Sequence, residues 1–230
     1  MKAVSALAFN RLAIGIHNAF FNGIRGRMSG CVVDLGCGAM PYREELIGQG
    51  CRYVGVDWPH SVHGAVPDVV ADLNQGLDLP DGFADAVMSF SVLEHLSNPD
   101  VMLRHAYRIL RPGGLLFLQV PFQWWVHESP YDFFRYTRHG LEFMLGREGF
   151  ADIGIRSSGG FWTARALKLN YHTHRWVRGP RPLRWALSGL LTPFWVSGQL
   201  LAPLLDRIDP DPDETVGYTV EATKPLSASG

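Results

Sequence analysis

Net charge is almost absent from this chain of 230 residues: 21 Lys and Arg stand against 22 Asp and Glu, leaving −1. That balance removes any global electrostatic case for a nucleic-acid partner. Cysteine is scarce as well. Cys31, Cys37 and Cys51 lack metal-ligand spacing and make no disulfide framework, so a reduced, cytoplasmic setting fits. Cys37 reads as a small buried residue rather than a nucleophile. No continuous apolar run with a small-residue cleavage site follows Lys2, because Asn10, Arg11, His17 and Asn18 interrupt it. Residues 3–24 therefore read as an amphipathic helix leading into the first strand. Acids are missing altogether between Ser157 and Leu205. A compact set of metal ligands is not visible either, and none is expected.

What is present is organised around Cys31-Val32-Val33-Asp34-Leu35-Gly36-Cys37-Gly38. A short apolar run ends in an acid and then turns on two glycines, which reads as a buried strand and a tight loop. Glycine lets the backbone turn sharply and lets a ligand approach the main chain. The pattern fails as a dinucleotide fingerprint, since Pro41 stands where the third glycine is required. That failure argues against a nicotinamide oxidoreductase. A helix over Tyr42–Gln49 follows, then a second strand, Arg52–Asp57. Asp57 lies roughly twenty residues past the glycines, where a βαβ unit delivers a carboxylate to a ribose. A turn aspartate is the plainer alternative.

A third strand over 68–71 leads to Asp72-Leu73-Asn74, and a fourth over 83–91 is followed by Val92-Leu93-Glu94-His95-Leu96. A helix over 99–110, the turn Arg111-Pro112-Gly113-Gly114 and a fifth strand, Leu115–Val120, complete the series. In type and order these elements resemble the class I S-adenosylmethionine (SAM)-dependent methyltransferases, in their branch acting on small molecules and glycans. The resemblance implies an α/β fold: a doubly wound, Rossmann-like sheet of seven mostly parallel strands, with an antiparallel last strand and here a helical insert before it. It also implies SAM as cofactor. Asp34, Leu35, Gly36, Cys37 and Gly38 would hold the methionine half, Asp57 and Trp58 the ribose end, and Asp72 and Leu73 the adenine. Phe90 and Ser91 would face the methionine end, and Asp85 would orient its strand without touching ligand. Nucleic-acid methylation is disfavoured, because Ser89-Phe90-Ser91-Val92 replaces the Pro-Pro-aromatic pocket used for base amines.

Three parts are expected: an N-terminal helical cap (1–30), a SAM-binding domain (31–157 and 216–224) and a basic, apolar helical insert (158–215) over the substrate face. Thr137 suits a helix N-cap for residues 138–147. Ala151–Ser157 and Val216–Thr223 would be the last two strands, and the tail after Lys224 disordered. The insert mixes Arg175, Arg178, Arg181 and Arg184 with Trp162, Trp176, Trp185 and Trp195. Its open readings are membrane-surface contact at the inner face through 158–205, a lid over an apolar or anionic acceptor, and packing on the domain and a second copy in a homodimer. A transmembrane span over 185–205 is rejected, because Pro193 falls in its middle and a crossing would part the last strand from its sheet.

For chemistry, His95 is the first candidate base and His127 the second. Each has a structural alternative: His95 as a pocket-shaping residue, His127 as a surface one. Glu94 is expected to brace a helix start. Tyr131, Asp132 and Arg135 are candidate acceptor contacts, with an Asp132–Arg135 pair that fixes the loop as the other reading. The acceptor would be a small molecule, glycan intermediate or lipid-linked compound, methylated at a hydroxyl or amine. A non-catalytic protein of the same fold, meeting a membrane or partner through the insert, is the alternative.

Overall fold

The computed structural model describes residues 7–59, 66–211 and 213–226. Residues 3–6 of the expected N-terminal helix, Pro212 and the last four residues of the tail lie outside the described residues. By its contacts the chain forms two compact units.

The first unit, residues 22–156 and 218–230, holds the sheet. Its strands are β1 (Cys31–Leu35), β2 (Arg52–Asp57), β3 (Val69–Val70), β4 (Ala84–Phe90), β5 (Leu110–Pro121), β6 (Ala151–Ser158) and β7 (Gly217–Thr223), in the order β3-β2-β1-β4-β5-β7-β6. β1 pairs in parallel with β2 and β4, β2 with β3, and β4 with β5, while β7 is antiparallel. This is the doubly wound sheet with an antiparallel last strand that the sequence implies. Helices α2 (Arg43–Gly48), α3 (Pro99–Ile109) and α4 (Arg138–Arg147) connect the strands. β1 is buried along its whole length, as an apolar run in the middle of a parallel sheet must be. Val33, Leu35, Val87, Leu103, Ile109, Leu116 and Val220 lie in one continuous core. Thr137 caps α4 as expected, its hydroxyl accepting from the Gly140 amide at 3.1 Å.

One boundary differs from the sequence reading. Arg111–Gly114 is not a turn before a strand but part of β5. Ala84 faces Leu110 while Ala86 faces Leu115, so the segment bulges out of the ladder. Its outer edge still pairs: Gly113 donates to the Lys224 carbonyl at 2.8 Å, and the Lys224 amide donates to Gly114 at 2.9 Å. Asp85 anchors the neighbouring strand by accepting from the Cys31 amide and pairing with Arg111.

The second unit, residues 2–21 and 157–217, is helical. It contains most of α1 (Arg11–Ile24), with α5 (Phe161–His174) and α6 (Arg181–Ile208). Gln199 of α6 accepts from the Leu12 amide at 2.8 Å and donates to the Ala8 carbonyl at 3.0 Å. Asn170 of α5 donates to the Phe9 carbonyl at 3.1 Å, and the Trp195 indole donates to Thr173 at 2.9 Å. Asp206 accepts from the amides of Gly160 and Trp162, which satisfies donors left open at the start of α5. α6 runs for 28 residues through both Pro193 and Pro203. Pro193 therefore interrupts the hydrogen-bond ladder without ending the helix. Among the described residues, no helix is long and apolar enough to cross a membrane.

Candidate active site

The loop after β1 makes the site possible. Gly36 has φ +76°, and a Cβ there would stand 2.3 Å from the Val92 side chain. Only glycine lets this loop close on the loop after β4. The Gly38 amide donates to Asp57 at 2.9 Å, and the other Asp57 oxygen accepts from the Trp58 amide at 2.8 Å. Asp57 thus fixes the glycine loop from the cavity wall. Asp72 folds back onto the Asn74 amide at 3.0 Å.

The segment after β5 is docked on the loop after β4. The Phe133 and Phe134 amides donate to the Glu94 carbonyl at 2.9 and 3.2 Å, and the Tyr136 hydroxyl donates to the Leu93 carbonyl at 2.9 Å. Between these loops and the strand ends lies a cavity of about 560 Å³. Gly36, Asp57, Trp58, Asp72, Leu73, Ser91, His95 and Tyr131 of the expected site line it. Trp58 and Tyr131 meet edge to face at 5.1 Å.

Other expected residues lie behind this lining. Leu35 is fully buried, and its carbonyl accepts from Ser89 at 2.7 Å. Cys37 is buried, and burial pushes its thiol up to about 12, so it is no nucleophile at neutral pH. Phe90 packs on Tyr42. Asp34 sits beneath the loop, with the Tyr53 hydroxyl donating to it at 2.5 Å. Asp132 and Arg135 form a forked pair at 2.6 and 2.8 Å, and Arg135 also donates to the Trp124, Trp125 and Phe134 carbonyls. The pair thus joins the two ends of its loop, the second of the two readings given above. The guanidinium keeps the Asp132 carboxyl far below the usual carboxylate range, so it stays ionised.

His95 and His127 meet ring to ring, 4.7 Å apart. The Nδ1 of His95 lies 2.6 Å from the Tyr131 carbonyl, which can only accept. Nδ1 is therefore a protonated nitrogen, and in the neutral ring Nε2 carries the lone pair. Nε2 stands 3.7 Å from Glu94 and 3.9 Å from Glu128. His127 is tied in the same way, its Nδ1 lying 3.2 Å from the Asp132 carboxylate. Glu94 has no exposed surface, and neither carboxylate oxygen finds a hydrogen-bond partner. Burial pushes it up to about 8. Glu94, His95 and His127 each offer a ligand atom, all within 4.8 Å of one another. Spacing in the sequence does not show this grouping, because the three residues come from two loops about thirty positions apart. Sequence reasoning also missed Asn74, Ser97, Glu128, Ser129 and Phe133 in the lining. Glu128 and Ser129 flank residues that were singled out, and their polar, aromatic surroundings were the available signal.

A methyltransferase-domain family model matches residues 8–189 of the chain. This chain belongs to the class I SAM-dependent methyltransferases. A probable SAM-dependent methyltransferase of Mycolicibacterium smegmatis is 32% identical over 130 residues, covering 52% of this chain and 49% of that protein. A ubiquinone biosynthesis O-methyltransferase of Dechloromonas aromatica is 23% identical over 206 residues, covering 84% and 78%. The chain thus spans about half the length of the first relative and about three quarters of the second. In fold it resembles a phosphoethanolamine N-methyltransferase of Haemonchus contortus solved with S-adenosylhomocysteine (TM-score 0.57, 17% identity, 97% of this chain and 61% of that one). It also resembles a SAM-dependent methyltransferase of Archaeoglobus fulgidus (TM-score 0.56, 18% identity, 96% and 95%).

SAM is the cofactor of this family. The residues present fit it. The cavity is of ligand size, its glycine loop has no room for a side chain, and Asp57 and Asp72 both open onto it.

Asp34 gives the site a pH signature. Burial raises its pKa to about 7, the Tyr53 hydrogen bond opposes this, and the charge of Asp57 adds to it. Unfolding returns Asp34 to its ordinary value near 3.8. The folded protein therefore holds a proton that the unfolded chain releases, and this stabilisation is present below about pH 4 and lost as pH rises through about 7. In urea unfolding of the unliganded protein, Asp34→Asn is expected to lose less stability than the native chain between about pH 5 and about pH 8. Equal losses in the two proteins would remove Asp34 from the account.

Proposed function

We propose that the protein transfers a methyl group from SAM to a hydroxyl of a small acceptor, within the cavity described above. The observation that carries this reading is that one cavity is lined both by Gly36, Asp57 and Asp72 and by His95, Glu128 and Tyr131. Bound SAM supplies an electrophilic methyl on a sulfonium. The chain's own residues hold and orient. Asp57 accepts from the ribose hydroxyls, and Asp72, with Leu73, meets the adenine. Tyr131 and Phe133 give the acceptor an apolar, aromatic wall, with Trp58 of the ribose end packed on Tyr131. The acceptor hydroxyl would lie against His95, whose Nε2 would take its proton. SAM held by these residues would supply the methyl to the acceptor oxygen and keep the electron pair of the broken C–S bond on sulfur. Alignment of the two partners is the main contribution of such a site.

Similarity to proteins named ubiquinone biosynthesis O-methyltransferase supports an oxygen acceptor of low polarity. The segment expected as an insert, 158–215, supports an amphiphilic acceptor or contact with a membrane surface. Along α6, Leu183, Leu190, Phe194, Leu201 and Ile208 are exposed, and Arg175, Arg178, Arg181 and Arg184 lie at or before its start. The test is to incubate the protein with methyl-labelled SAM and a lysate of its source cells, then extract with organic solvent. The expected product is labelled, organic-soluble and stable to mild alkali, as an ether is. A protein that binds SAM yet labels nothing above background would overturn the reading.

A further inference from the structure

We propose that Glu94, His95 and His127 bind one divalent transition-metal ion of the zinc class, held by three protein ligands with positions left open for solvent or acceptor oxygen. Glu94 is the first reason. A carboxyl group with no exposed surface and no hydrogen bond is costly to bury in its charged form, and a cation close by would remove that cost. The second reason is how the two imidazoles are held. Each is tied at Nδ1, His95 to the Tyr131 carbonyl and His127 to the Asp132 carboxylate. Histidines that bind metals are held in this way, with the far nitrogen left free and the ring fixed in direction. Asp132 is itself fixed by the Arg135 fork, so the support extends one layer further. The third reason is composition. Two imidazoles and one carboxylate, with ligand atoms inside 4.8 Å, make a donor set that suits zinc and its first-row neighbours better than magnesium.

The site also reaches the cavity through His95, the one of its three ligands that lines it. An acceptor hydroxyl lying against His95 could bind the ion through oxygen and release its proton to water at neutral pH. In that case His95 acts by holding the ion rather than by taking the proton. This consequence rests on the function proposed above; the metal site itself does not.

The test uses the full chain, stripped with a chelator and titrated with Co2+ as a coloured substitute for zinc. One equivalent of Co2+ should bind with visible d–d absorption, and Zn2+ should displace it. Glu94→Gln, which keeps the shape of a buried side chain, and His127→Ala should each weaken Co2+ binding by more than about tenfold. Absence of the absorption band, or equal Co2+ affinity in the native chain and both variants, would overturn the site. SAM affinity and methyl labelling, measured on the same stripped and reloaded samples, separate the two proposals. Labelling by stripped protein that binds no Co2+ would sink the metal and leave the function. Co2+ binding without any labelled product would do the reverse.

Discussion

Asp57→Ala is expected to raise the dissociation constant of SAM by at least about a hundredfold. The ribose would lose a carboxylate that accepts from two hydroxyls, and hydrogen bonds to a charged group contribute about 1.5–3 kcal/mol each. A second loss comes from the protein side. Asp57 also accepts from the Gly38 and Trp58 amides, so its removal leaves the glycine loop without its brace. The two contributions separate with Asp57→Asn. One amide oxygen can replace one carboxylate oxygen, but the amide nitrogen cannot accept from the second backbone donor. Its affinity should fall between those of the native protein and Asp57→Ala. Binding is to be measured by calorimetry, with thermal unfolding as a control for the fold. An unchanged affinity in Asp57→Ala would mean that the ribose lies elsewhere in the cavity.

The strand-end acids were legible in the sequence because parallel sheets present their ligands from one edge. Once β1, β2 and β4 are placed by their apolar runs, Asp57 and the loop after β4 must fall on that edge. Gly36 was legible for a related reason, since its position between strand and helix demands a conformation that other residues resist. Asp34 shows the limit of this reasoning. It belongs to the same motif, yet it is buried under the loop and bonded to Tyr53 rather than part of the cavity lining. A motif marks which residues act together; it does not say which of them face outward. The β5 bulge was hidden for another reason. Arg-Pro-Gly-Gly has the composition of a turn, and only the pairing of Gly113 and Gly114 with Lys224 from the far end of the chain keeps it in the sheet. Long-range pairing overrides local preference there. Pro193 also departs from local preference, since it lies inside a continuous helix although proline disfavours helix interiors.

His95→Ala is expected to cut kcat by about 10²–10⁴-fold while leaving SAM affinity within about twofold, the range for loss of a positioned proton-transfer group. The split follows from where the side chain stands. His95 touches the cavity from the loop after β4, while Asp57 and Asp72, the residues proposed to hold the cofactor, line it from β2 and the turn after β3. A role limited to shaping the pocket would lower SAM affinity and turnover together, and that result would withdraw His95 from the chemistry. Added imidazole then distinguishes the two ways in which His95 can act. A free base can be replaced in part by imidazole in solution, so partial rescue in metal-stripped protein would favour direct proton transfer to His95. Rescue that appears only after reloading with zinc would place the imidazole on the ion beside Glu94 and His127. Asp132→Asn adds a check on the supporting layer. It removes the charge that holds His127 Nδ1, and its amide can no longer match the Arg135 fork on both sides. Its effect should fall on kcat and leave SAM affinity unchanged, because Asp132 is not among the residues lining the cavity.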